Sequence, residues 1–202
     1  MPEVRQARWL RLGGSDVMAA GLRGRAVRAG AGAGLGWLIP LIGLAACSPV
    51  LDWRELHPEG WGLVASLPCR PNYQARQVPL AGNIVSLEMM LCRTDDHTFA
   101  LSTAAMSDPT QVGPALAALL AAAQANVGGR ITSEQAAKVA GMTPQPGARR
   151  RQLVGQLPDG QPIHEQVLVF AHGLRVFQAT LVGPQADEAR ATPFFDSMML
   201  AP

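Results

Sequence analysis

Residues Asn83–Arg93 read NIVSLEMMLCR, a run in which apolar side chains recur at every second position. The apolar positions are Val85, Leu87, Met89 and Leu91. The positions on the other face include Ser86, Glu88 and Cys92. Because successive side chains of a β-strand point to opposite faces, this period of two predicts a strand with one face against a core.

The residues on either side of this run extend it into a small antiparallel unit. Asp95-Asp96-His97 is a turn signal, and Thr98–Met106 predicts the second strand of a hairpin. Leu63–Pro68 predicts an earlier strand, separated from Asn83–Arg93 by a connection that contains proline and glycine. Pairing of this earlier strand with Asn83–Arg93 would extend the sheet.

A long helix is predicted to follow the hairpin. Asp108 is placed as the N-cap, Pro109 occupies the first helical position, and Gly128-Gly129 end the element. One stripe at helical spacing contains Leu116, Leu119, Leu120, Ala123 and Val127. Such a stripe is typical of a core-facing helix rather than of a partner site.

The second half of the chain repeats the strand signal and then changes to a helical one. Arg150–Gln156, Ile163–Ala171 and Leu174–Val182 predict a three-stranded meander, with short turn signals between them. Asp187–Met198 predicts a last helix, broken or restarted at Pro193, that carries two phenylalanines to the sheet. The fold class predicted is therefore α+β, an antiparallel β-sheet with a long helix and a C-terminal helix packed on it.

The order of these segments resembles that of a known class of exported proteins. Val64–Pro68, the hairpin, the long helix, the meander and the closing Phe194–Met198 (FFDSM) resemble the PsbP-like α/β/α sandwich over residues 60–200. Together with Trp53-Arg54-Glu55 and Val78–Gly82, the pattern also resembles proteobacterial envelope lipoproteins of uncharacterised role. The resemblance implies the fold and a role as an assembly factor or protein-binding module, and it supplies no catalytic residues.

The N-terminal segment predicts export. Leu44-Ala45-Ala46-Cys47 closes the apolar run Leu35–Ala46, which follows three arginines between residues 23 and 28. The quartet resembles the bacterial lipobox, in which the cysteine is lipidated and the preceding peptide is removed. The apolar run of about a dozen residues is too short for a membrane span, which needs roughly 20. The alternatives are an uncleaved N-terminal anchor and a chance match in an alanine-rich chain.

These signals divide the chain into three parts. Residues 1–46 are predicted to be a lipoprotein signal peptide, with a possible true start at Met18. Residues 47–60 are predicted to be the lipidated N-terminus and a short tether, and residues 61–202 to be one globular α+β domain.

The charge of the mature chain gives no support for binding to nucleic acid. The leader contains six arginines and two acidic residues, so removing it changes the formal net charge from +2 to about −2. The basic cluster Arg149-Arg150-Arg151 then remains at the start of a predicted strand, where we interpret it as a solvated strand edge.

The cysteines fit an oxidising compartment. With Cys47 lipidated, Cys69 and Cys92 remain, each at the end of a predicted strand, and an even pair in an exported domain predicts a disulfide. The alternatives are two unpaired buried thiols, or a metal site formed with His97 that lacks any close ligand spacing.

The residues after Cys47 contain no G-x-S-x-G elbow, no H-E-x-x-H and no phosphate-binding glycine motif. The nearest approach to a catalytic pattern is His164-Glu165 followed by His172, but Glu165 would point away from His164 in a strand. We expect His172 to lie in the turn before Gly173. The sequence therefore predicts no enzyme and no cofactor.

Two classes of function remain as hypotheses. The first is a non-enzymatic envelope lipoprotein that is anchored by lipid on Cys47 and binds an envelope protein partner. In the lipoproteins that this chain resembles, aspartate after the lipidated cysteine commonly signals inner-membrane retention, so Ser48 favours the outer membrane, facing the periplasm. The second is a lipoprotein that binds a small ligand or a metal at the sheet face around Glu88, Cys92, His97 and His164. An apolar cleft with converging polar groups would favour the second, and a flat apolar patch the first.

Overall fold

The computed structural model describes residues 51–157 and 159–200, so the predicted leader and the lipidation site at Cys47 lie outside the described residues. The described chain forms ten strands, a short 3-10 turn and two helices. The first five strands are β1 (Arg54–Leu56), β2 (Leu63–Leu67), β3 (Asn72–Leu80), β4 (Asn83–Thr94) and β5 (His97–Ala105). The 3-10 turn Pro109–Gln111 leads into α1 (Val112–Val127). The remaining elements are β6 (Arg130–Ala136), β7 (Arg149–Gln156), β8 (Pro162–His172), β9 (Arg175–Gly183), α2 (Glu188–Asp196) and β10 (Met199–Leu200).

Seven of these strands form one antiparallel sheet in the order β3-β4-β5-β9-β8-β7-β6. Two meanders, β3 to β5 and β6 to β9, meet where β5 pairs with β9. Helix α1 links the end of β5 to β6, which lies at the far edge of the sheet. A second, three-stranded sheet has the order β1-β2-β10.

Both faces of the large sheet are covered along its centre. In β8 the alternate residues Val167 and Val169 are fully buried, and so are Leu168 and Phe170 on the opposite face. Helix α1 packs against β7, β8 and β9 and covers the face of Val167, which we call the α1 face. Helix α2 covers the other, the α2 face, where Glu188 accepts a hydrogen bond from Gln166. The α+β class predicted from the sequence is confirmed.

The predicted end of α1 and the predicted core residues of both helices are confirmed, but the predicted N-cap Asp108 caps the 3-10 turn Pro109–Gln111, and α1 itself starts after Gln111. The Asp108 carboxylate accepts a hydrogen bond from the Thr110 backbone N–H, and Gly128 ends α1 in the left-handed conformation. The predicted α1 stripe is buried. Phe194 and Phe195 of α2 are buried too, and the ring of Phe194 meets that of Phe99 edge-on at 5.3 Å. Helix α2 runs unbroken through Pro193, so the predicted break there is wrong.

Two strands have no counterpart in the prediction. β3 occupies the stretch interpreted as a connection, and β6 follows α1 directly. Both are edge strands whose residues are almost all exposed, so neither sequence has the apolar alternation of a half-buried strand. Of the two predicted partners of β4, Thr98–Met106 is confirmed as β5. The pairing with Leu63–Pro68 is wrong, because β4 pairs with β3 on that side and β2 belongs to the small sheet.

Part of the stretch predicted to be a tether belongs to the fold. The backbone N–H of Asp52 donates to the Pro68 carbonyl at 2.8 Å. The Trp53 ring packs edge-on against Phe99 at 6.0 Å, and β1 starts at the next residue.

Replacing Gly155 with alanine should lower the free energy of unfolding by about 2 kcal/mol, the usual cost of forcing extra volume into a packed site. A Cβ at Gly155 would lie 2.0 Å from the Val127 carbonyl oxygen, where β7 passes under the end of α1. Gly113 is the matched control, because a Cβ there meets nothing within 4 Å and Gly113→Ala should stabilise α1. Urea unfolding of both variants tests this, and equal effects would contradict it.

Candidate functional site

The predicted disulfide joins Cys69, which follows β2, to Cys92 in β4, with the two Cα atoms 5.8 Å apart. It therefore connects the small sheet to the large one. Because each sulfur is bonded to the other, neither is a thiolate that could bind a metal together with His97. The alternatives of free thiols and of a Cys69, Cys92 and His97 metal site are not supported.

The residues proposed for a ligand site share the α2 face but do not converge. Glu88 lies opposite Thr103, whereas His97 lies opposite Thr94, near the other end of the β4–β5 pair. The separation along the strand is about 20 Å at the usual rise of 3.3 Å per residue. Cys92 is held in the disulfide. The structure thus separates Glu88 from His97, whereas His164 pairs with Gly183, the residue that faces the His97 ring.

Glu88 is the centre of the first cluster. Its Oε2 accepts hydrogen bonds from Trp61 Nε1 at 2.8 Å and from Tyr73 Oη at 3.0 Å. Arg175 Nη1 lies 3.8 Å from its Oε1. The hydrogen bond to Glu88 is the main cause of a raised pKa at Tyr73. The cluster fixes the β3–β4 hairpin to the segment before β2, since Trp61 is buried there.

His97 is the centre of the second cluster. Its ring is buried, and Nδ1 lies 2.6 Å from Asp96 Oδ1 and 3.2 Å from Arg190 Nη1. Arg190 also donates to Asp187 at 2.6 Å, and the hydrogen bond with His97 lowers the pKa of Asp96. The network ties the start of α2 to the turn between β4 and β5. It requires Gly183, because a Cβ there would lie 2.3 Å from the imidazole ring.

His164 and His172, the other histidines of the predicted pattern, do not form a site with each other. His164 lies near the start of β8 and His172 is its last residue, about 26 Å further along the strand. His172 Nδ1 is 2.9 Å from the Gly141 carbonyl oxygen. Glu165 is buried on the opposite face, as expected from its position next to His164.

The arginine cluster is not a solvated edge, because β7 is paired on both sides by β6 and β8. The Arg150 guanidinium lies 4.3 Å from the centre of the Phe195 ring, and Nη2 donates to Gln166. Arg149 and Arg151 both pair with Glu134. The sequence interpretation of this cluster is therefore wrong.

A small cleft lies beside Arg150, between β6, β7, β8 and the end of α2. Its lining residues are Gln135, Ala136, Lys138, Arg150, Leu168, Phe195 and Asp196. Its volume of about 160 Å³ is below the roughly 300–1,000 Å³ usual for small-molecule sites. Across residues 51–157 and 159–200, no group of three or more His, Cys, Asp or Glu side chains is placed to hold a metal ion.

Among the strands that the structure describes, the α2 face is exposed at both edges of the sheet, along β6 and along β3. The exposed surface on β3 continues onto the start of β4. We call this surface the open arm; it consists of Tyr73, Ala75, Gln77, Pro79, Ile84 and Ser86, all of them exposed. Strand register places Pro79 beside Ile84 and Gln77 beside Ser86, so the surface is continuous. Tyr73 is 56% exposed, Ile84 is 69% exposed, and none of the six side chains is charged. The open arm is uncharged, and its exposed apolar side chains lie mainly at its two ends.

Sequence reasoning missed the open arm because it missed β3. The strand NYQARQVPL has no alternating apolar face, and its Pro79 argues against a central strand. The signal that was available is Ala81-Gly82, whose positive φ values of 50° and 82° make a two-residue hairpin turn.

Neither a scan against protein-family models nor a search of curated proteins finds a match to the chain. Within the described residues, no helix is both long and apolar enough to cross a membrane. The function is therefore inferred from the chain's own residues.

Proposed function

We propose that this protein is a non-enzymatic envelope lipoprotein, anchored through lipid on Cys47, that binds a protein partner with the open arm. We infer the partner-binding role from the exposure of the open arm. Exposed apolar side chains grouped on one surface commonly mark interaction sites, and Tyr73, Pro79 and Ile84 are exposed on this one. The fold class agrees with the PsbP-like resemblance, whose members commonly bind or assemble other proteins.

The connection between Cys47 and the folded domain is short. Asp52 is already hydrogen-bonded to Pro68, so only residues 48–51 separate it from Cys47. Even fully extended, that connection reaches about 17 Å. A lipid on Cys47 would therefore hold the domain against the membrane surface, where its partner would also have to be.

The compartment follows from the same residues. The disulfide between Cys69 and Cys92 suits the oxidising periplasm, because cytosolic thiols are kept reduced. Ser48 after the lipidated cysteine favours the outer membrane, with the domain facing the periplasm.

The polar clusters support a role without catalysis. The carboxylate of Glu88 is occupied by Trp61 and Tyr73, and the imidazole of His97 is buried between Asp96 and Arg190. Each cluster joins segments of the fold to one another. The cleft beside Arg150 is smaller than usual ligand sites, so a small-ligand role has less support than a protein partner.

Photo-crosslinking in intact cells tests the proposed surface. A photoreactive amino acid in place of Ile84 should yield an adduct with a different envelope protein. Ile131 is the matched control, because it is another exposed isoleucine but lies on β6 at the opposite edge. An adduct from Ile84 and none from Ile131 is the expected result. Equal yields, or no adduct from Ile84, would contradict the proposal.

A further inference from the structure

The outer side of β3 presents an unpaired row of backbone groups. The hairpin turn Ala81-Gly82 is closed by the pair Leu80 and Asn83, and hydrogen-bonded pairs then alternate along the two strands. Tyr73, Ala75, Gln77 and Pro79 are consequently the residues whose backbone groups point away from β4. In the described part of the chain, no strand pairs with β3 on that side.

The two edges of the large sheet differ in how well they are protected against pairing. β6 has a register shift between Ile131 and Ser133 and carries charged Arg130 and Glu134. Bulges and charges of this kind discourage the addition of another strand. β3 keeps an unbroken register of nine residue pairs with β4. Pro79, which lacks an N–H, lies only near one end of it.

We propose that β3 pairs with β3 of a second copy of this chain, antiparallel and centred on Ala75. This register is self-complementary, as a twofold interface requires. Tyr73 lies opposite Gln77 of the second copy, and Arg76 lies opposite Gln74 of the second copy. No two like charges are brought face to face, because Arg76 is the one charged residue of β3 and does not meet its own copy.

The twofold axis of such a pair is perpendicular to the sheet, so the two open arms lie on the same side. Together they form a four-stranded surface, β4-β3-β3-β4, that gives a protein partner twice the width of one arm. A contact between two strand edges is small, and small interfaces are weak in dilute solution. Anchoring both copies on one membrane raises their effective concentration, and in this respect the dimer rests on the proposed lipidation.

Cysteine crosslinking of the full chain in cell membranes tests the register. In Ala75→Cys the new thiols face each other across the axis, with Cα atoms about 5.5 Å apart, which suits a disulfide. Addition of a mild oxidant should convert most of this variant into a covalent dimer. Ala136→Cys is the matched control, since Ala136 is an exposed alanine at the end of the other edge strand. A dimer from neither variant, or equal dimer from both, would overturn the proposal.

A second pair of variants checks that the edge pairing itself is responsible. Two differently tagged copies of the chain should co-purify from membranes, and Ala75→Pro in both should abolish this, since proline removes an outward N–H that β4 does not use. Ala75→Lys should do the same by placing two ammonium groups at the axis. Unchanged co-purification of folded Ala75→Lys chains would contradict the β3 interface.

The tests of the β3 dimer and of the partner site can give different results. An Ile84 adduct with another protein but no Ala75→Cys dimer would overturn the dimer alone. A dimer without that adduct would overturn the partner site alone.

Discussion

Replacing Cys69 and Cys92 together with alanine should lower the free energy of unfolding by about 3.4 kcal/mol. The disulfide closes a loop across a sequence separation of 23 residues, and the chain-entropy relation converts that loop into this value. The loss of stability should affect the unfolding of the whole domain. The bond connects the small sheet, which contains β1 and β2, to the large one.

Urea unfolding of the purified chain with and without a reductant measures this effect. Reductant should lower the midpoint of the parent protein and leave the double alanine variant unchanged. Cys69→Ala alone should free Cys92, which is buried and so should react with thiol reagents only when the domain opens. A parent protein equally stable with and without reductant would rule out a structural role for the bond.

Glu165→Gln should stabilise the domain at neutral and alkaline pH but not at acid pH. The side chain is 5% exposed on the α1 face, and burial raises its pKa from 4.5 to about 8. Between these values the folded protein binds a proton that the unfolded chain does not. Stability from this residue is therefore greatest below pH 4.5 and falls as the pH rises towards 8, by roughly 3 kcal/mol at pH 7.

Unfolding free energies of the parent and Glu165→Gln chains across this pH range test the assignment. The two curves should meet near pH 4 and separate steadily up to pH 8. Glu59→Gln is the control, because Glu59 is an exposed carboxyl of the same chain. Parallel curves for the parent and Glu165→Gln would show that the carboxyl is not desolvated in the fold.

The parts of the fold that were predictable are those with one buried face. α1 shows a period of about 3.6 because it presents one side to the core. β4 shows a period of two, but its predicted core face is only half-buried, and its buried residues, Cys92 and Thr94, lie on the other face. The C-terminal end of α1 was predictable because Gly128 adopts a left-handed conformation that few other residues adopt. Asp108 marked only the start of the 3-10 turn that leads into α1.

The edge strands were not predictable by the same reasoning. β6 is exposed at every residue and β3 at most of them, so packing imposed no pattern on their sequences. The open arm was consequently invisible, although one of its two rows, on β4, was correctly assigned to a strand.

The clusters around Glu88 and His97 depend on contacts between distant segments. Trp61 reaches Glu88 across 27 positions, and Arg190 reaches His97 across 93. Nothing in the local sequence marks these residues as partners. The sequence did place Glu88, Cys92, His97 and His164 on one sheet face. Strand length separates Glu88 from His97, whereas His97 and His164 lie at the same end of the sheet, on either side of Gly183.

We propose that the mature protein begins at a lipidated Cys47. Mass spectrometry of the N-terminal peptide, from protein purified from its native membranes, tests this proposal directly. We expect a chain that begins at Cys47 and has the added mass of more than one acyl chain, because stable anchoring requires more than one. Cys47→Ala should abolish both the added mass and the membrane association. A full-length chain with an unmodified Cys47 would contradict the account.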